Sequence, residues 1–369
     1  MRNHYDFIMV GAGLFSSVFA HEAIKDGKSV LIIEKRNHIG GNVYQEKRDG
    51  ISIHKYGAHI FHTSNKDVWD YVNRFTSFNN YINSPVAYYH GEIYNLPFNM
   101  NTFSKMFGII TPEEAKRRID EERKEIKGEP ENLEEQAISL VGRTIYEKLV
   151  KEYTEKQWGR DCKELPPSII KRLPVRFIYD NNYFNDRYQG IPEKGYNAII
   201  EGLIEGADVL LETDYLKEKD YWDSISERVL YTGCLDELYG YRYGKLEYRS
   251  EIFKHRRIEC ENFQGNAVVN YTSHERSYTR IIEHKHFLRE ESPVTWISEE
   301  YPVSYEETKE PYYPVSDARN TELYSKYREL ADKDRHLIIG GRLAEYRYYD
   351  MDKSIEAALS CYQRCRWSS

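Results

Sequence analysis

The sequence predicts a mixed α/β fold in which a Rossmann-like dinucleotide-binding domain is interrupted by a helical insert and joined to an antiparallel β-sheet layer. Three observations carry that expectation. A strand-like run, Tyr5-Asp-Phe-Ile-Met-Val10, breaks into Gly11-Ala-Gly13-Leu14-Phe15-Ser16, and a second run, Ser29 to Ile33, ends at Glu34, twenty-three residues beyond Gly11. From Thr111 to Leu149 the apolar residues recur at helical spacing. Short runs rich in β-branched and aromatic residues then return through the rest of the chain.

Each part of the opening unit has a physical purpose. Gly11 suits a tight turn, and Gly13 lets backbone approach a pyrophosphate. The helix that begins there, through Leu14 and Phe15, points its positive end at the anion. Ser16 stands where a third glycine is usual and asks for a little more room between helix and strand. Glu34 is placed to bind a ribose. The loop that follows, Lys35-Arg36-Asn37-His38-Ile39-Gly40-Gly41-Asn42, is basic and glycine-rich, which suits FAD better than a nicotinamide dinucleotide.

Further along, Pro85–Tyr89 and Glu92–Leu96 around His90-Gly91 predict a hairpin. Thr111-Pro112-Glu-Glu114 predicts a helix start with proline in its first turn. Leu133, Ala137, Leu140, Val141, Ile145 and Leu149 then form one apolar stripe. Leu165-Pro-Pro167 and Leu173-Pro174 prevent a long helix. Strands are expected at Val229–Tyr231, Ala267–Tyr271 and Arg280–Ile282, and a strand-then-glycine turn at His336–Arg342, with helical spacing from Ile355 to Cys361. The resulting division assigns residues 1–84, 192–242 and 314–369 to the FAD-binding domain and 98–170 to a helical domain with a substrate lid. Residues 85–97, 171–191 and 243–313 form the antiparallel sheet domain.

Composition narrows the function. A formal charge of −8 over 369 residues disfavours nucleic acid and anionic membranes as general partners, so an anionic ligand needs a local cluster of cations. No apolar run approaches the roughly 18 residues of a membrane span. The opening residues show no basic-then-apolar leader, and the five cysteines have no zinc-like or redox-pair spacing, so a cytoplasmic location is expected. The 33 tyrosines supply flat surfaces with hydroxyls; most belong to ordinary packing, and a few in one cleft would suit a sugar nucleotide.

The richest stretch is Tyr153-Thr-Glu-Lys-Gln-Trp158-Gly-Arg160, followed by Ile169-Ile-Lys-Arg172-Leu-Pro-Val-Arg176-Phe and Asn181-Asn-Tyr183-Phe184. Together with Tyr56-Gly-Ala-His59-Ile-Phe-His62, Tyr278-Thr-Arg280 through Phe287, Glu310-Pro-Tyr-Tyr313-Pro314 and Gly340-Gly-Arg342 through Met351, it resembles bacterial UDP-galactopyranose mutase. The resemblance runs in order over essentially the whole chain. It implies an isomerase that interconverts UDP-galactopyranose and UDP-galactofuranose for cell-surface polysaccharide synthesis. In that family N5 of reduced flavin attacks the anomeric carbon and displaces UDP; a flavin-sugar iminium then lets the ring open and reclose, with no net redox change.

The resemblance also implies roles for particular residues. Arg172 and Arg280 match the family's diphosphate-binding arginines, Arg172 being preferred to Arg176 for its position relative to Trp158. Trp158 matches a residue near the uracil at the base of a closing lid. Tyr153, Tyr183, Tyr313 and Tyr348 match tyrosines of the substrate site, and each has ordinary packing as its alternative. His59 and His62 match positions near the flavin ring, His59 being the candidate for handling a proton. Glu34, Lys35, Asn42, Arg342, Asp350 and Met351 match FAD-contacting positions. The resemblance further implies FAD that must be reduced, an electron source such as NAD(P)H or a protein, and a homodimer.

A metal site at His54, His59 and His62, or at His284 and His286 on a shared strand face, lacks a completing carboxylate or cysteine, and none is expected. Two other readings compete: a flavin-dependent oxidase or desaturase of the amine-oxidase type, and a silent nucleotide-binding scaffold.

Overall fold

A computed structural model describes residues 2–170 and 175–366. The strand Tyr5–Val10 lies at the centre of a five-stranded parallel sheet ordered Leu337–Ile339, Ser226–Tyr231, Tyr5–Val10, Val30–Ile33, Asp208–Leu210. Val10 aligns with Ile33 on one side and Tyr231 on the other, and Tyr231 with Ile339, so these strands end at one level. Both faces are covered, which explains the unbroken apolar runs. Phe7, Met9 and Ile32 pack under the helices Leu14–Lys25, Gly195–Leu203 and Met351–Arg366, while Tyr5, Ile8 and Leu31 pack with Tyr215 and Trp222 on the other face.

A second sheet has seven strands, ordered Tyr313–Pro314, Tyr248–Ile258, Thr295–Ser304, Arg280–Glu283, Val268–Tyr271, Val86–Tyr89 and Glu92–Asn95. All its pairs are antiparallel except Val268–Tyr271 with Val86–Tyr89. The expected hairpin is thus present, turned by His90 at φ 45° and Gly91 at φ 83°.

The helical segment is built from local signals. Thr111 caps the helix Pro112–Arg123 in a reciprocal box with Glu114, and Asn132 caps Leu133–Val141. Gly142 at φ 82° stops that helix, so the single stripe expected to run on to Leu149 is broken into Leu133–Val141, Arg143–Ile145, a π-helical turn Tyr146–Lys151 and Glu152–Trp158. Leu133, Ala137, Val141, Ile145 and Leu149 nonetheless share one buried core with Tyr94, Phe98 and Phe103. His284 and His286 do not share a strand face. The strand ends at Glu283, and the chain turns into the short helix Lys285–Leu288.

Candidate functional site

The turn after the first strand opens onto a cavity of about 540 Å³ at the carboxyl ends of the parallel strands. Gly11 sits at φ 97°, and a Cβ there would lie 2.6 Å from Thr232 Oγ1, which donates to Val10 O at 2.6 Å. Gly13 differs: at φ −79° it begins the helix Leu14–Lys25, and a Cβ there would meet nothing within 4 Å. The space before Gly13 is therefore a cradle for a ligand, and Gly41 closes over it, its own Cβ position 3.0 Å from Gly13 Cα. Ser16 is buried beneath the turn, its hydroxyl unpaired among the described residues.

Glu34 is buried at the end of the second strand, its two carboxylate oxygens accepting from Ala12 N–H and Arg36 N–H, each at 2.8 Å. Arg36 donates to Asn42 Oδ1 at 3.1 Å and to Glu310 Oε2 at 2.8 Å, and its guanidinium stacks 4.4 Å over Tyr56. Gly11, Gly13, Leu14, Phe15, Glu34, Lys35, Asn42, His59, Arg342 and Met351 all line the cavity. A glycine cradle at a helix N-terminus, followed by a buried acid and flanking cations, fits a flavin dinucleotide. His62 and Asp350 do not line it. His62 Nδ1 is held 2.7 Å from Asp186 Oδ2, its ring stacked 3.7 Å from Phe184, and Asp350 precedes the final helix.

This geometry separates the two glycines. Gly13→Ala is expected to fold normally but to weaken flavin binding about tenfold or more, read by titrating apoprotein, because the methyl enters the cradle. Gly11→Ala is expected to cost about 1–2 kcal/mol of stability, read by denaturant melts, because its φ lies in the left-handed region.

His59 Nδ1 lies 2.8 Å from Gly57 O, a pure acceptor, so Nδ1 carries the proton of the neutral ring and Nε2 is left as a bare acceptor. Behind it His54 Nδ1 accepts from the His59 backbone N–H at 3.1 Å, and His284 Nδ1 from the His54 N–H at 3.2 Å. Burial pushes His59 down to about 4, His54 down to about 3 and His284 well below its usual value. These groups are neutral when folded and take up protons on unfolding. Stability is therefore full above about pH 6.5 and falls below it, by about 1.4 kcal/mol per pH unit for each histidine. Thermal melts between pH 4 and 7.5 should show a slope reduced by about one proton in His54→Gln; equal slopes would refute the assignment.

Arg342 joins this cavity to a second cluster. It donates to Tyr312 O at 3.3 Å and Tyr349 O at 2.9 Å, while its guanidinium lies 5.5 Å from the Tyr313 ring and 4.8 Å from that of Tyr348. Tyr348 is 56% exposed, its ring 5.9 Å from Tyr313. Arg280, on the second sheet, donates to Tyr153 Oη at 2.9 Å, and its Nε lies 3.1 Å from Glu300 Oε1. Glu300 and Glu251, 3% and 7% exposed, stand on adjoining strands, and burial raises both carboxyls, Glu251 further because of the Glu300 charge and Glu300 against the pull of Arg280. Burial also raises Tyr183, against the pull of the nearby Arg280 charge. Trp158 ends the helix that carries Tyr153 and packs against the helical core. Arg172 lies outside the described residues.

Sequence reasoning passed over Thr232, Glu251 and Glu300, which reach the site only through strand register. Arg36 and Glu310 sat inside quoted motifs without a role; a lone arginine after the ribose acid was their one available signal. No group of histidines, cysteines and acids arranged to hold a metal occurs among the described residues, and none of their helices is long and apolar enough to cross a membrane.

Fold and cavity define a flavoprotein of the Rossmann-like dinucleotide-binding class. A family model described as NAD(P)-binding Rossmann-like domain matches residues 9–75, and one described as UDP-galactopyranose mutase matches residues 148–348. The chain belongs to the UDP-galactopyranose mutase family. A probable UDP-galactopyranose mutase of Klebsiella pneumoniae is 40% identical over 97% of this chain and 94% of its own. A dTDP-fucopyranose mutase of Escherichia coli is 36% identical over 96% and 97%, and a UDP-galactopyranose mutase of Mycoplasma pneumoniae 31% identical over 97% and 95%. A crystal structure of reduced UDP-galactopyranose mutase shares the fold, with a TM-score of 0.72 at 14% identity across 99% of this chain and 94% of that one. The expected α/β architecture and family resemblance are both borne out.

Proposed function

We propose that this protein interconverts UDP-galactopyranose and UDP-galactofuranose with reduced FAD. The observation that carries the reading is Arg280, half-buried between Tyr153 and Glu300 in the cluster that Arg342 joins to the dinucleotide cavity, in a chain of this family. The flavin, bound and reduced, supplies the nucleophile for the anomeric carbon.

The chain's own residues do the rest. Gly11, Gly13, Leu14, Phe15, Glu34, Lys35, Asn42, Arg342 and Met351 hold the cofactor, with His62 and Asp350 contributing from outside the cavity lining. Arg280, with Arg172, clamps the diphosphate and takes up the charge that develops as UDP leaves; a guanidinium fork matches phosphate oxygens. Tyr153 orients Arg280, Tyr183, Tyr313 and Tyr348 donate hydroxyls to the nucleotide sugar, and Trp158 stacks on the base. His59, neutral with Nε2 free, accepts a proton at that atom.

The division into FAD-binding, helical and sheet domains, at the boundaries given above, belongs to the same reading. So do a homodimer, an external reductant that is either NAD(P)H or a protein, and a cytoplasmic location.

The test is anaerobic incubation with UDP-galactofuranose and, separately, with the furanose form of dTDP-fucose, a nucleotide sugar chosen because of the dTDP-fucopyranose mutase relative. Chromatography should show UDP-galactopyranose formed by the reduced protein. Turnover of the dTDP sugar alone would reassign the substrate, and net oxidation of the sugar with oxygen consumed in a parallel aerobic incubation would favour the oxidase reading.

A further inference from the structure

Lys156 lies on the helix Glu152–Trp158, three residues beyond Tyr153 and two before Trp158. Its ammonium meets four backbone carbonyls: Tyr271 O at 2.6 Å, Ser273 O at 2.9 Å, Tyr278 O at 3.0 Å and Arg276 O at 3.1 Å. All four oxygens come from the end of one strand and the loop that follows it. An ammonium has three N–H groups, so one is shared between two oxygens, and the geometry is that of a carbonyl cage around a monovalent cation. Burial pulls this ammonium down to about 8, with the Glu152 carboxylate opposing.

The same helix grips the loop twice more. Glu152 accepts from the His274 backbone N–H, and Glu155 Oε2 lies 3.0 Å from His274 Nε2. Two residues past the cage the chain enters the strand Arg280–Glu283, whose first residue donates to Tyr153 Oη on the helix. Lys156 and Tyr153, at i and i+3 spacing, are neighbours on the helix surface. One therefore fastens the loop, and the other meets the arginine that the loop delivers.

We propose that Lys156 is a positioning residue: a tethered cation that pins the loop 272–279 to the helix 152–158, so that Arg280 and Tyr153 face a bound diphosphate together. The proposal rests on the function proposed above. Lys156 itself touches neither flavin nor sugar, and it acts through the arginine.

Flavin-loaded wild type, Lys156→Ala and Lys156→Met are titrated with UDP calorimetrically, in sodium, ammonium, methylammonium and tetramethylammonium chloride at equal ionic strength. Both variants should keep the wild-type flavin spectrum and bind UDP about tenfold more weakly or worse. In turnover KM should rise more than kcat falls. Ammonium and methylammonium, small cations with N–H donors, should restore Lys156→Ala several-fold, and tetramethylammonium should not. Wild-type UDP affinity in either variant overturns the proposal. So does a loss in Lys156→Ala that ammonium and tetramethylammonium leave equally uncorrected, which assigns Lys156 to packing alone. If Lys156→Ala fails to fold, Lys156→Met, which keeps the volume of the stem, decides on UDP affinity and the KM-to-kcat split. Failure of the wild type to bind UDP is a separate result, which strikes the functional reading beneath the proposal.

Discussion

Arg280→Ala should retain its flavin and lose at least about a hundredfold in kcat/KM. In the proposed role the arginine would supply about two charge-assisted hydrogen bonds to a diphosphate, together worth about 3 kcal/mol or more, part of it realised only as UDP departs. The variant should still fold. Removing the guanidinium leaves Glu300 and Glu251 without it, but their carboxyls are already raised by burial, so they pick up protons instead of standing as buried charges. Flavin absorbance, a thermal melt and UDP titration separate the effects: the first two should be near wild type, and UDP affinity should fall. Arg280→Lys, which keeps the charge and loses the fork, should fall between the two. Wild-type kinetics in Arg280→Ala would remove this residue from the site.

The second large effect is redox dependence without redox turnover. Protein kept rigorously oxidised should convert less than about 1% of what the dithionite-reduced protein converts in the same time, a difference of about 2.7 kcal/mol or more. Only reduced flavin has the electron pair that attack on the anomeric carbon requires. Full turnover by oxidised protein would sink the proposed chemistry, whereas conversion accompanied by stoichiometric oxygen loss would point to an oxidase.

Features encoded locally were legible in the chain. The turn at Gly11, the helix start at Gly13 and the strand end before Glu34 were legible because each is decided within a few residues. The box formed by Thr111 and Glu114 and the hairpin at His90-Gly91 are equally local. Glu300 and Glu251 were illegible for the opposite reason. Nothing in Glu251-Ile-Phe or Glu299-Glu300-Tyr marks a site, and the pair exists only because strands nearly fifty residues apart pair with Phe253 opposite Glu300. Lys156 sat inside a quoted motif, yet its cage comes from a loop more than a hundred residues away. The expectation for His284 and His286 failed at a boundary: Arg280 to His286 contains no turn residue, and the strand stopped where the His284 backbone conformation became helical, at ψ −36°.

The route of the chain through the parallel sheet makes its folding depend on segments far apart in the sequence. Its strands come from residues 5–10, 30–33, 208–210, 226–231 and 337–339, and the helix Met351–Arg366 lies against Leu14–Lys25, with Tyr362 edge-on to Phe19 at 5.1 Å. Residues 5–33 therefore depend on residues about 300 positions later before their apolar surface is fully covered. The cavity takes its lining from both ends of this span, Gly11 and Gly13 from one and Gly341, Arg342 and Met351 from the other, so a fragment ending before the strand Leu337–Ile339 should hold a half-built sheet and bind no flavin.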